Sequence, residues 1–192
     1  MSVTDRRLRE RVQRHDLIVA AARDLAEAEG WEAVTTRRLA ALVEYSQPVL
    51  YSHFDGKDAI VRAVAIEGFA DLAVQLRLAR SAVVEPAPGL RAVCGAYLAF
   101  AADRPALYQA MFVLPIDVKF ASEDTPSPLK AAFGELVGAL TSFDANPNLL
   151  AEVTWAALHG LAVLVRGGRI PLEGQEARID LLVGQIASDR VG

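Results

Sequence analysis

The chain has 192 residues, 53% of them apolar and 23% charged, with a net charge of −4. That is enough apolar material for a substantial core, in one large domain or in one small and one medium domain. A single cysteine, Cys94, excludes an intrachain disulfide and a thiolate metal cluster; no stretch approaches the roughly 20 apolar residues of a membrane span, and the polar start lacks the apolar segment of a signal peptide.

These features set the expectation of a cytoplasmic protein with no membrane partner. Cys94 reads as a small buried apolar residue, with a redox sensor as the alternative. The net charge does not announce a nucleic-acid binder, but its distribution is uneven. Arg6, Arg7, Arg9, Arg11 and Arg14 precede residue 15, against Asp5 and Glu10. A local basic surface can bind phosphates on an acidic chain. Residues 1–14 are read as a basic N-terminal arm, either a solvated tail or a segment lying along phosphates or in a minor groove.

The stretch from Thr35 to Lys57 is the most informative. Leu39, Ala40 and Leu42–Val43 make an apolar face at helical spacing. Thr35 or Thr36 can cap that helix. Glu44–Tyr45 is the turn. Ser46 can cap a second helix with Pro48 in its first turn, where a missing N–H costs nothing. Val49, Leu50 and Phe54 are its expected inward positions. Two short helices across a tight turn form a helix-turn-helix, with the second placed to enter a major groove.

Residues 17–67 resemble the DNA-binding domain of tetracycline-repressor (TetR) type regulators. The residues that carry the resemblance are Gly30, Thr35–Thr36, Leu50–Tyr51–Ser52–His53–Phe54 and Lys57, together with the segments Thr35–Ala40 and Gln47–Tyr51. The resemblance implies that Thr36, Arg37, Gln47, Pro48, Val49, Tyr51, His53 and Lys57 face DNA. Arg37 matches a position that contacts guanine, where an Arg fork suits O6 and N7, with a phosphate contact as the alternative. Gln47 matches a position that reads adenine. Thr36, Tyr51, His53 and Lys57 are expected on phosphates, with half-buried core as the other reading of Tyr51. Val49 stands where related chains often carry Thr, and it can touch a thymine methyl. Glu44 departs from the family's usual Gly. Either the turn has another shape or the strain of a left-handed Glu, about 1 kcal/mol, is tolerated.

Beyond Lys57 the pattern stays helical. Ile60, Val64, Phe69, Leu72 and Leu76 mark one side of a connecting helix to Val83. Glu85–Gly89, with two prolines, reads as a breaker. Further helices are expected over 90–102, 106–113, 129–143, from Asn146 to about Arg166, and over 173–187, with Gly167–Gly168 ending the fourth of these five. Trp155, His159 and Gly160 resemble a Trp…His-Gly signature of one subgroup of TetR-like C-terminal domains. Trp155 and His159 share a helix face; they either pack in the core or project into a cavity. Gly160 costs roughly 1 kcal/mol in a helix interior, which a close helix–helix approach would offset. Ile179, Leu182, Val183 and Ile186 lie on one side of the last helix. By the family resemblance, the last two helices form a four-helix bundle with those of a second copy. Tyr97, Phe100, Tyr108, Phe112, Trp155 and His159 are large, mostly apolar side chains with a few polar tips. They are read as lining a cavity for a small apolar or aromatic ligand, with plain core as the alternative.

The chain is therefore expected to be all-α. Residues 15–60 would form an N-terminal three-helix domain with the helix-turn-helix, and 61–192 a helical bundle for ligand binding and dimerisation. The function read from it is a ligand-responsive, homodimeric repressor on a palindromic DNA operator. The alternative is a helical small-molecule-binding protein whose DNA reader does not work. The sequence carries no phosphate loop, nucleophile elbow or metal-ligand spacing, so no catalysis, metal or cofactor is expected.

Overall fold

The computed structural model describes residues 3–120 and 122–188, whose regular structure is all helical, with no strand among them. In chain order they are α1 (Val3–Glu29), a 3₁₀ turn (Trp31–Ala33), α2 (Thr36–Leu42), α3 (Gln47–Tyr51), α4 (Lys57–Ser81), α5 (Pro86–Asp103), α6 (Pro105–Phe112), α7 (Ser127–Leu140), α8 (Pro147–Arg166) and α9 (Gln175–Ser188).

The chain clusters into two compact units. One runs to Gly68 and takes in Arg104–Lys119; the other comprises Phe69–Asp103 and the chain from Phe120. The boundary expected at residue 60 thus falls inside α4, whose first turns bury Ile60, Val61, Val64 and Ala65 in the first unit. The unexpected member of that unit is α6. Residues 3–14, expected as an arm, are the first turns of α1. No Gly or Pro interrupts them, and Glu10 lies within ion-pair reach of both Arg6 (3.7 Å) and Arg14 (4.0 Å), one turn to either side.

In the first unit, α1 packs against α2 and α6, and α2 against α3. Ile18, Val19, Ala22, Leu25 and Ala26 form the buried face of α1; Leu39, Ala40, Val43, Leu50, Phe54, Leu107, Tyr108 and Met111 complete this core. Leu42, expected on the apolar face, is 56% exposed, because Leu39, Ala40 and Val43 already fill the inward arc of this two-turn helix.

In the second unit, α5 packs on α7, α8 and α9, and α7 on α8. Leu90, Val93, Tyr97, Leu98 and Phe100 are buried, facing Leu136, Leu140, Leu158, Ile179 and Val183. Glu135 of α7 accepts from Arg77 and Arg80 of α4, and Arg91 of α5 pairs with Glu176 and Asp180 of α9. The expected breaker at Glu85–Gly89 is instead the start of α5. Prolines 86 and 88 sit in its first turn, where no N–H is required, and Gly89 N–H closes that turn on Glu85 O at 2.9 Å. Cys94 is buried in α5, which pushes its thiol up to about 12 and leaves it a small apolar residue rather than a reactive thiolate.

Candidate nucleic-acid interface

The local chemistry of residues 35–57 fixes the shape of the reading surface. Thr35 is the N-cap of α2, and its hydroxyl accepts from Arg38 N–H at 3.2 Å. At the far end, Tyr45 N–H bonds Ala40 O at 2.9 Å and Glu44 N–H bonds Ala41 O at 3.4 Å. These are the two hydrogen bonds of a Schellman ending, with Glu44 at the position that favours Gly. Its φ is 56°, the only left-handed non-glycine among the described residues. The turn keeps the shape a glycine would give it, and Glu44 carries the strain.

Ser46 opens α3 through its carbonyl, which accepts from Val49 and Leu50; its hydroxyl makes no cap bond. Leu50 and Phe54 are buried as expected, while Val49 is only half-buried. A five-residue helix has room for one fully inward residue. Gln47 and Pro48 are exposed on its outer side, and Arg37 is exposed on α2. Tyr51 is 51% exposed, so half of it rests on the unit and half is open to a partner. Its hydroxyl lies 3.4 Å from the Thr36 hydroxyl, tying α3 to the start of α2.

The two arginines after Thr36 differ. Arg38 makes a bidentate pair with Glu29 at 2.7 and 2.8 Å, so it braces α2 on the end of α1. That hydrogen bonding holds the Glu29 carboxyl below its ordinary range. Arg37 makes no ion pair among the described residues and is open to a partner. Lys57, expected on phosphate, donates to Trp31 O at 2.6 Å from the start of α4, which leaves two of its three N–H groups for other acceptors.

His53 lines a cleft of about 370 Å³ with His15, Tyr51, Asp55 and Arg62. Burial lowers its pKa, and the positive charges of Arg11, His15 and Arg14 lower it further. The His15 ring packs on Phe54 with centroids 4.7 Å apart, so α1 borders this cleft.

One part of the unit has no local sequence signal. The Glu27 carboxylate accepts from Ala106 N–H at 3.0 Å and Leu107 N–H at 2.9 Å, satisfying the first turn of α6. Trp31 Nε1 donates to Ala106 O at 2.8 Å. Lys57, Trp31 and Ala106 thus form one chain of hydrogen bonds.

The expected ligand residues fall in both units. Within the second, Tyr97 and Phe100 are buried, and Tyr97 Oη accepts from Trp155 Nε1 at 3.0 Å. Phe133 meets Trp155 edge-on at 6.5 Å. His159 is half-buried on α8, its pKa lowered by burial and then by Arg166. Tyr108 and Phe112 belong to the first unit, rings 4.7 Å apart.

Along α8 and α9, Leu149, Val153, Leu164 and Leu181 are exposed. With 20 residues and a mean hydropathy of 1.5, α8 is by length and composition alone long and apolar enough to cross a membrane, against the expectation that no stretch approaches a membrane span. A Cβ added at Gly160 would meet nothing within 4 Å, so no neighbour among the described residues explains that glycine.

Comparison with known proteins agrees with the geometry. Residues 18–64 match the model of bacterial regulatory proteins of the tetR family, and residues 90–186 match that of the tetracyclin repressor-like C-terminal domain. The uncharacterized HTH-type transcriptional regulator Rv0681 of Mycobacterium tuberculosis is 28% identical over 158 residues, covering 79% of this chain and 69% of the relative. A protein of unknown function from Rhodococcus sp. RHA1 shares the fold with a TM-score of 0.75 at 22% identity, over 91% of this chain and 93% of that one. The transcriptional regulator FadR from Bacillus subtilis, in complex with stearoyl-CoA, does so with a TM-score of 0.67 at 13% identity, over 91% and 98%.

Proposed function

Because the chain belongs to the tetR family of bacterial regulatory proteins, and is a DNA-binding transcriptional regulator on that ground, we propose that it acts as a cytoplasmic, homodimeric repressor released or engaged by a small apolar or aromatic ligand. One observation carries the reading: Thr36, Arg37, Gln47, Pro48 and Tyr51 stand together on the outer side of α2 and α3, with Leu39, Leu50 and Phe54 buried behind them. That arrangement presents polar donors to a groove on a scaffold fixed by apolar packing. In the proposal Arg37 reads guanine, Gln47 reads adenine and Val49 touches a thymine methyl. Thr36, Tyr51, His53 and Lys57 hold phosphates.

A second copy covers Leu149, Val153, Leu164 and Leu181, and Gly160 marks where the two copies approach. Two-fold symmetry then matches two half-sites about one helical turn apart. The Tyr97 hydroxyl, held by the Trp155 indole, and the His159 ring orient the ligand within the second unit. The FadR structure holds stearoyl-CoA on the same fold, which supports a ligand site in this fold without naming this chain's ligand.

The test is selection from a pool of random duplexes by the purified protein. The proposal expects a two-fold symmetric sequence to be enriched and bound by two copies. Absence of enrichment, alongside tight binding of small apolar molecules, would instead favour a ligand-binding protein with a silent reader.

A further inference from the structure

We infer that the N-terminal half of α1 is a second DNA-binding element, a rigid basic helix face that holds phosphates flanking the stretch read by α2 and α3. The inference rests on the DNA-binding function proposed above. At 3.6 residues per turn, positions 7, 11, 14, 18, 22 and 25 fall within about 80° of one another. From position 18 on, that face is Ile18, Ala22 and Leu25, all buried in the first unit. Before it, the same face is Arg7, Arg11 and Arg14, all exposed. The inward face of one continuous helix therefore changes from apolar to basic where the helix runs past the packed unit.

A solvated tail would not keep its arginines on the packing side. Arg6 and, from the stripe itself, Arg14 both lie near Glu10, and Arg9 bonds the Asp5 carbonyl, so those three charges have local partners. Arg7 and Arg11 make no ion pair among the described residues. What they face lies outside this unit.

The position of the stripe identifies the occupant. His15, one turn after Arg11, packs on Phe54 beside His53, and both histidines line the cleft with Tyr51. The charges of Arg11 and Arg14 reach His53. The stripe thus continues the phosphate-facing edge of the helix-turn-helix. From Arg7 to Arg14 it rises about 10 Å, close to three base pairs of duplex at ~3.4 Å each. Charge complementarity and continuity with the reading surface both point to the sugar–phosphate backbone of flanking DNA.

Two duplexes built on the enriched sequence test this, one ending at the outer edges of its half-sites and one extended by several base pairs on each side. The unaltered protein should bind the longer duplex more tightly and with a steeper salt dependence. The double variant R7Q/R11Q keeps good helix formers and should bind the short duplex unchanged. On the longer one it should lose the advantage: its log–log salt slope falls by about two per subunit, about tenfold in affinity between 50 and 200 mM salt. A variant that keeps the advantage, or that weakens equally on both duplexes, overturns the inference while leaving the regulator intact. So does loss of binding to phosphatidylserine vesicles with no effect of duplex length, which would assign the stripe to a membrane surface. Failure to enrich any DNA would instead sink the proposed function itself.

Discussion

Tyr51 and Tyr97 are both marked as functional by the sequence, yet half of Tyr51 is open to solvent while Tyr97 is 3% exposed and holds the Trp155 indole. Around Tyr51 the buried apolar residues make a platform, and Arg37 and Gln47 lie exposed on top of it with Thr36 half-buried beside them. Around Tyr97 the large side chains are themselves the interior, with Phe100 1% exposed beside it. In the first region a side chain can be exchanged without disturbing the fold, and its loss is felt by the partner. In the second, shape and stability are the same property, so any exchanged side chain also changes the packing.

The sharpest test of that contrast is Phe100→Ala. Removing a fully packed ring should lower the unfolding free energy by about 3–5 kcal/mol, measured by urea denaturation. A loss below about 1 kcal/mol would mean the surroundings already contain free space, and the two regions would differ less than argued. Next in size is Arg37→Ala. It should cost about 1–3 kcal/mol of DNA affinity, relax preference at one base pair and leave the denaturation midpoint unmoved. A loss that is uniform across sequence variants would make Arg37 a phosphate contact. The smallest effect is expected from Glu44→Gly, which relieves the left-handed residue in the turn. It should stabilise by about 1 kcal/mol and raise Tm by about 2–4 °C, with DNA affinity held. If affinity fell instead, the strain would be serving to fix the tilt of α3.

What could be read from the chain in advance follows from how local each feature is. The Thr35 cap, the Pro48 position and the buried Leu39, Ala40, Leu50 and Phe54 depend on neighbours within a few residues, so their order in sequence carries them. Two local readings went astray. The prolines after Glu85 start a helix rather than break one, since the same missing N–H is harmless in a first turn. The arginines before residue 15 read as an arm, solvated or on phosphates, rather than as a helix, because the pattern of their face becomes visible only beside the buried residues that follow. The brace of Glu27 and Trp31 on α6 joins residues 75 to 80 positions apart. No periodicity reports such a contact, and it decides that α6 belongs with the reading surface. The residues expected to line a ligand cavity were legible as large and apolar but do not form one group, because α5 and α6 follow one another in sequence and fold into different units.

That brace also sets an order of events during synthesis. The helix-turn-helix and Trp31 leave the ribosome early, whereas Ala106 and Leu107 are made only after α5 has been translated. At roughly 5–20 residues per second, the interval from Gly68 to the end of α6 is a few seconds, far longer than helices need to form. For that time the Trp31 indole N–H and the Glu27 carboxylate have only water as a partner. The nascent reading surface is thus unfinished until α6 exists, and a fragment cut after Gly68 would leave it in that state permanently.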